Sequence, residues 1–139
     1  MKIYHTSPTP IAQIKKTGTF GECLCFSSDV YSMSVGDVFV YSLEIDESEI
    51  IDACDFDADD APEVLAHIQN VFECDEYQAL DYLTGSEIHP DAEWDWFIQG
   101  QMGEAAKEAG YKAARGIDEQ GSVYIVPMLG REKDLILET

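Results

Sequence analysis

The sequence predicts one domain of the α+β class, with a small mixed sheet and a helical segment in the middle of the chain. Strand-like apolar runs lie near both ends of the 139 residues, and an apolar pattern of helical period fills the centre. No linker, repeat or low-complexity segment interrupts the sequence, so a single domain is expected over residues 1–139. This order of elements favours a sheet that brings the first and last strands together.

The predicted strands lie outside this helical centre. They cover residues 2–6, 23–26, 37–45, 112–117, 122–127 and 135–137. In the third strand apolar and polar side chains alternate, which predicts one buried face. The fourth and fifth strands flank four polar or small residues ending in Gly121, a pattern typical of a hairpin.

The predicted helices are placed by their end signals and by apolar residues at helical spacing. They cover residues 9–18, 62–72, 77–84 and 90–109. Pro62 stands at the first position of the second helix, and Gly85 and Gly110 stop the last two. The longest helix is expected to turn Trp94 and Ile98 inward.

Charge is the strongest signal in the composition. The chain carries 28 acidic and 8 basic side chains, a formal net charge of −20. A negative potential of this size disfavours free nucleic acid as a ligand, because proteins bind nucleic acid by neutralising phosphates with Lys and Arg. It favours rapid approach to a basic protein surface, and an acidic face kept for solubility is the alternative.

The remaining composition indicates a protein of the cytoplasm. The apolar runs are far shorter than the ~20 residues of a membrane-spanning helix, and the first residues do not form a signal peptide. We therefore expect a cytoplasmic location, in the host cell if the chain is phage-encoded. The four cysteines lack a disulfide framework and are expected as free thiols, and they share no ligand spacing with the histidines, so no metal site is expected.

The first chemical motif is Tyr4-His5-Thr6-Ser7, at the end of the first predicted strand. The His5 imidazole could exchange a hydrogen bond with a ribose hydroxyl, and the extended backbone at Thr6 could pair with a carboxamide as a strand edge does. The simpler interpretation is a strand-end histidine bonded to its own loop.

The second motif is Phe26-Ser27-Ser28, followed by a helical turn that carries Tyr31. An aromatic ring at this point could stack on a flat cationic heterocycle, and the serines could bind phosphate or orient a carboxylate. Alternatively, one serine is a helix N-cap and Tyr31 belongs to the core.

Two acidic features complete the set. Asp118 and Glu119 place a carboxylate pair at the tip of the predicted hairpin, where turn chemistry alone would also select Asp. A second acidic cluster lies over residues 52–63. It lacks the glycine and the closing glutamate of a calcium loop, so we expect it to cap and solvate the helix that follows, and it could dock basic residues of a target.

These motifs together resemble a known family. Residues 4–7, 18–21 and 26–28 resemble the N-terminal half of the ADP-ribosyltransferase superfamily. The stretch 105–126, with Asp-Glu-Gln-Gly at 118–121, is similar to small phage-encoded anti-CRISPR ADP-ribosyltransferases that inactivate type I-F surveillance complexes. The resemblance implies a small ADP-ribosyltransferase-like mixed sheet, NAD as co-substrate, and a protein target with a basic surface, such as a CRISPR-Cas subunit.

The resemblance also implies roles for single residues in binding NAD. His5 would contact a ribose, and the Thr6 backbone would face the nicotinamide amide. Tyr31 would stack on the nicotinamide ring, a role that Tyr4 or Tyr124 could also fill. The other residues expected at the cofactor are Ser7, Phe26, Ser27 and Ser28.

Asp118 matches the catalytic acid of this subgroup, with Glu119 as the second choice. Many relatives have glycine where this chain has Thr6, and the more common layout has a glutamate at the start of the final strand, here Ser122 or Val123. Two other functions remain open from the sequence. One is a non-catalytic acidic inhibitor that imitates nucleic acid and blocks a basic groove, and the other is an NAD-type fold acting only as an interaction module.

Overall fold

The computed structural model describes most of the chain. The described residues are 1–7, 23–27, 39–118, 121–129 and 131–138. Within them the fold is a mixed α+β structure with a seven-stranded sheet, as predicted. The predicted helix over 9–18 and the helical turn at Tyr31 lie outside the described residues.

The described elements follow one another in the order strands, helices, strands. The strands are β1 (Lys2–Ser7), β2 (Cys23–Ser27), β3 (Phe39–Glu44), β4 (Ile50–Asp52), β5 (Ala113–Asp118), β6 (Gly121–Pro127) and β7 (Ile136–Leu137). The helices are α1 (Pro62–Phe72), α2 (Glu76–Thr84) and α3 (Ala92–Glu108), and single 3-10 turns lie at Glu47–Glu49, Ala53–Asp55 and Glu132–Asp134. The sequence missed β4, which has only three residues.

The sheet has the strand order β4-β5-β6-β2-β1-β3-β7. β4 pairs with β5 in parallel, and the other neighbours are antiparallel. The predicted hairpin is present as β5 and β6. The expectation that the first and last strands come together is wrong in detail, because β7 pairs with β3, and β3 separates it from β1.

Two apolar clusters lie on opposite faces of the sheet. The three helices cover one face, where Ile68, Ile98 and Ile125 are buried together with Cys23. The second cluster includes Ile3, Phe26, Leu43, Tyr124 and Val126. Because side chains alternate between the faces of a strand, the neighbours Ile125 and Val126 of β6 belong to different clusters.

The strand β3, next to the edge strand β7, is more deeply buried than its alternating sequence predicts. The pattern indicated one buried face, but Val40 and Ser42 on the other face are also buried. Ser42 is 0% exposed, and its hydroxyl donates a 2.6 Å hydrogen bond to the Glu138 carboxylate. A buried hydroxyl is tolerated there because its partner satisfies it.

The helix ends follow the expected chemistry at most positions. The Asp75 side chain accepts a hydrogen bond from the backbone N–H of Gln78 and so caps α2, and the Asp91 side chain caps α3 in the same way. Gly85 and Gly110 end these two helices with φ of 81° and 92°, a backbone conformation that glycine adopts without strain.

The start of α1 is capped from a distance. Its N-cap residue is Ala61, which has no side chain that could accept a hydrogen bond. The Glu108 carboxylate at the end of α3 accepts instead from the backbone N–H groups of Glu63 and Val64, at 3.0 and 3.1 Å. The prediction that the acidic residues before α1 cap it is therefore wrong. Glu108, 45 positions further along the chain than Glu63, already accepts hydrogen bonds from the free N–H groups.

An aromatic cluster joins the helices at the solvent boundary. The Phe72 ring lies 5.3 Å from the Trp94 ring and 5.4 Å from the His89 ring, measured between centroids. Trp94 is nevertheless 42% exposed, so the prediction that it faces inward is wrong. It lies in the first turn of α3, where its ring contacts Phe72 and Phe97 and stays partly exposed.

Candidate functional site

A row of polar and aromatic side chains crosses the sheet on the face opposite the helices. The His5 ring lies 5.6 Å from the Phe26 ring, and the strand register then pairs Phe26 with Tyr124 and Tyr124 with Arg115. The row ends where Arg115 is paired with Asp52 of the edge strand β4. Residues from five different strands thus form one continuous line.

His5 is held in a defined tautomer. Its Nδ1 lies 2.8 Å from the backbone carbonyl oxygen of Cys25. A carbonyl can only accept a hydrogen bond, so Nδ1 carries the proton and donates it. Burial lowers the pKa of His5 because it disfavours the charged ring, and the bond to Cys25 offsets only part of this effect. The neutral ring therefore presents Nε2 as a hydrogen-bond acceptor.

This protonation state gives a stability prediction. The pKa of His5 lies below 6.5 in the folded protein. As the pH falls past 6.5, His5 therefore takes up a proton more readily in the unfolded chain than in the folded one, and this favours unfolding. Relative to His5→Gln, the wild type should lose free energy of unfolding as the pH falls from about 8 to about 5.5. Urea unfolding of both proteins at the two pH values measures this. If the difference in free energy of unfolding between wild type and His5→Gln is the same at both pH values, His5 is not buried in its neutral form.

His5 lies where the sheet opens between β1 and β2. The ladder between β1 and β3 contains six residue pairs, whereas within the described residues β1 and β2 share only the pair Tyr4 and Ser27. From that pair toward Ser7 the two strands are not paired. The His5 side chain reaches across the opening to β2, and the Thr6 backbone lies at its edge.

The other predicted cofactor residues divide between the two faces of the sheet. The ring contact places His5 and Phe26 on the face away from the helices. By strand alternation, Thr6 and Ser27 belong to the helix-covered face, and Ser27 is buried next to Val123 of β6. Ser7 is the last residue of β1. Ser28, Tyr31 and Glu119 lie outside the described residues.

Asp118 is the last residue of β5 and is paired with Gly121 across the hairpin. Two strands, β2 and β6, lie between β5 and β1. Three strand spacings separate β1 from β5, about 14 Å in the plane of the sheet. The pairings place Gly116 level with Tyr4, and β5 runs antiparallel to β1, so Asp118 is level with Lys2. The structure therefore does not bring Asp118 next to His5.

A cleft of about 550 Å³ lies at the β4–β5 end of the sheet, and its lining combines residues of the helix-covered face with Arg115, which by strand alternation belongs to the opposite face. It lies between α2 and α3 on one side and the β5–β6 hairpin on the other. Its walls include the apolar residues Ile98, Met102 and Ile125 and the charged residues Asp52, Glu87, Asp95 and Arg115. Among the described residues that the sequence predicts for NAD, none lines this cleft.

Asp52 and Arg115 form a bidentate ion pair at the cleft. The Arg115 guanidinium donates to both carboxylate oxygens of Asp52, through Nε to Oδ1 and through Nη2 to Oδ2 at 2.9 Å. Hydrogen bonding to Arg115 lowers the pKa of Asp52, and the bonds with Asp52 and then Tyr124 raise the pKa of Arg115. Sequence reasoning placed Asp52 in the acidic cluster and missed its partner, which is 63 residues away.

The fold and the site define a small α+β protein with an opened sheet and a cleft at its hairpin. No family model and no curated protein matches the chain. A solved structure described as "Crystal structure of an anti-CRISPR protein" is similar, with a TM-score of 0.60 and 20% sequence identity over 91% of this chain and 88% of that chain. The chain therefore shares its fold with an anti-CRISPR protein. None of the helices in the described ranges is long and apolar enough to span a bilayer.

Proposed function

We propose that this chain is an NAD-dependent mono-ADP-ribosyltransferase that acts as an anti-CRISPR protein, by modifying a basic surface on a subunit of a CRISPR-Cas complex. The observation that carries the proposal is the opening between β1 and β2, where His5 is neutral and presents Nε2. The anti-CRISPR protein of similar fold supports the biological role.

The opening offers the hydrogen bonds that the sugar and amide of NAD require. Nε2 of His5 accepts a hydrogen bond from a ribose hydroxyl, because Nδ1 is already engaged with Cys25. The Thr6 backbone, at the edge where β1 leaves β2, pairs with the nicotinamide carboxamide as a strand edge pairs with an amide. Tyr31 remains the proposed stacking partner of the nicotinamide ring.

The reaction needs few protein groups. The bond between the ribose C1′ and the nicotinamide nitrogen breaks, nicotinamide leaves with the bonding electrons, and a positive charge develops on the sugar. The proposal assigns the stabilisation of that charge to the Asp118 carboxylate, which has to reach the ribose across β2 and β6. A nucleophilic atom of the target side chain then forms a bond to C1′ and loses its proton to solvent. NAD is therefore consumed as co-substrate.

The charge of the chain supports a basic target. With a net charge of −20, the protein attracts a basic surface from a distance and orients it on approach. The same charge supports a second candidate function, a non-catalytic inhibitor that blocks a basic groove in place of nucleic acid. The two candidates differ in whether NAD is consumed.

The test is incubation of the chain with NAD labelled on its adenosine half and a purified type I-F surveillance complex. We expect label on one protein subunit and release of an equal amount of nicotinamide, measured by gel and by chromatography. Inhibition of the complex without label or nicotinamide would overturn the transferase and leave the blocking inhibitor. Association should also slow as salt rises, because exposed charges are screened beyond about 10 Å at 0.1 M salt.

A further inference from the structure

The cleft between α2, α3 and the β5–β6 hairpin has two distinct parts. Its floor is apolar and contains Ile98, Met102 and Ile125, of which Ile98 and Ile125 are at most 2% exposed. Its rim carries charged groups from β4, β5, α3 and the loop after α2. A ligand pocket typically combines such an apolar interior with a few convergent polar groups.

The charges of the rim do not cancel. Arg115 is already paired with Asp52, to which it donates hydrogen bonds from Nε and Nη2. Glu87 accepts a hydrogen bond from Gln78, and Asp95 accepts one from Gln99 at 3.3 Å. Both donors are neutral amides, so neither carboxylate has a cationic partner among the described residues. The pyrophosphate of a dinucleotide would be repelled here.

A long basic side chain satisfies both parts of the cleft. Lys and Arg carry an apolar stem that packs against apolar surface and a charged head that stays at the solvent boundary. We infer that the cleft binds a Lys or Arg side chain of the target protein, with its stem on the floor and its head at Glu87 and Asp95. The inference rests on the proposed protein target and does not require NAD chemistry.

The position of the cleft makes it a specificity pocket. Gly116 and Ser122 of the hairpin line it, and Gly116 precedes Asp118 by two residues. Two residues of extended strand span about 7 Å. A target side chain in the cleft therefore brings the residues next to it in the target to the end of β5, which carries Asp118.

The test uses small blocked amino acids and the isotopically labelled full chain, without NAD. N-acetyl-arginine methylamide and N-acetyl-lysine methylamide should shift the amide resonances of cleft residues such as Gln99 and Gly116 in a saturable way. N-acetyl-norleucine methylamide, which has the stem but not the charge, should bind at least roughly tenfold more weakly. Equal binding of the norleucine compound would overturn the inference.

Matched variants separate the cleft from the general negative charge. Glu87→Gln with Asp95→Asn should weaken binding of the arginine compound by roughly tenfold. Glu76→Gln with Asp81→Asn removes the same charge from exposed positions of α2 that do not line the cleft, and should leave the affinity unchanged. An equal loss in both double variants, or displacement of the arginine compound by NAD, would overturn the inference. Failure of ADP-ribose transfer would leave this binding result intact.

Discussion

Replacement of Asp118 by asparagine is expected to lower ADP-ribose transfer by at least about 100-fold, the size of effect seen when one preorganised electrostatic group is removed from an active site. Asparagine has the same shape but no negative charge, so it cannot stabilise the positive charge that develops on the ribose. NAD binding should persist, because His5 and Thr6 on β1 are unchanged. Single-turnover transfer of labelled ADP-ribose and calorimetry with NAD measure the two effects separately.

The neighbouring carboxylate provides the control. Glu119→Gln changes the same charge one residue further along the hairpin and should retain most of the activity. Both variants should unfold at the same urea concentration as the wild type, which excludes a fold defect. If Glu119→Gln abolishes transfer while Asp118→Asn retains it, the catalytic carboxylate is Glu119.

The elements that the sequence predicted well are those whose pattern is local. The hairpin of β5 and β6 was recognisable because apolar runs flank a polar turn ending in Gly121, and α2 because Gly85 stops it. Each signal depends on residues within a few positions of one another. The α+β class followed from the order of such elements along the chain.

The missed features depend on residues that are distant in sequence. β4 has three residues, too few for a periodic pattern, and it becomes a strand by pairing in parallel with β5. Its last residue, Asp52, then meets Arg115 across the ladder. Glu108 caps α1 for the same kind of reason, since only the packing of α3 against α1 brings the two together.

The candidate site was predictable only in part. His5 attracted attention as a polar strand end, and the structure adds the bond to Cys25 that fixes its tautomer. The cleft could not be predicted, because its walls come from α2, α3 and the hairpin, and no short motif contains them. Glu87 and Asp95 appear in the sequence as ordinary surface acids, and only their place at the rim of an apolar floor distinguishes them.

A close approach of α3 to the sheet gives the largest loss of stability that we expect. Gly103 lies in α3, and a Cβ atom added there would lie 2.5 Å from Sγ of Cys23 and 2.8 Å from Cγ2 of Ile125. In an exposed helix Gly→Ala stabilises by about 1 kcal/mol, but here α3 must move away from the sheet. We expect Gly103→Ala to lower the free energy of unfolding by about 1–3 kcal/mol, the usual cost of overpacking a core.

Urea unfolding of wild type and variant measures this loss, and two further variants test its cause. Gly116→Ala adds a Cβ that meets Val123 at 3.5 Å, an ordinary contact, and should cost less than Gly103→Ala. Cys23→Ala removes the sulfur atom that the new methyl group would contact. The double variant Cys23→Ala/Gly103→Ala should therefore lose less free energy of unfolding than the sum of the losses measured for the two single variants. Strictly additive losses would show that the contact with Cys23 is not the cause, because residues that do not interact contribute independently.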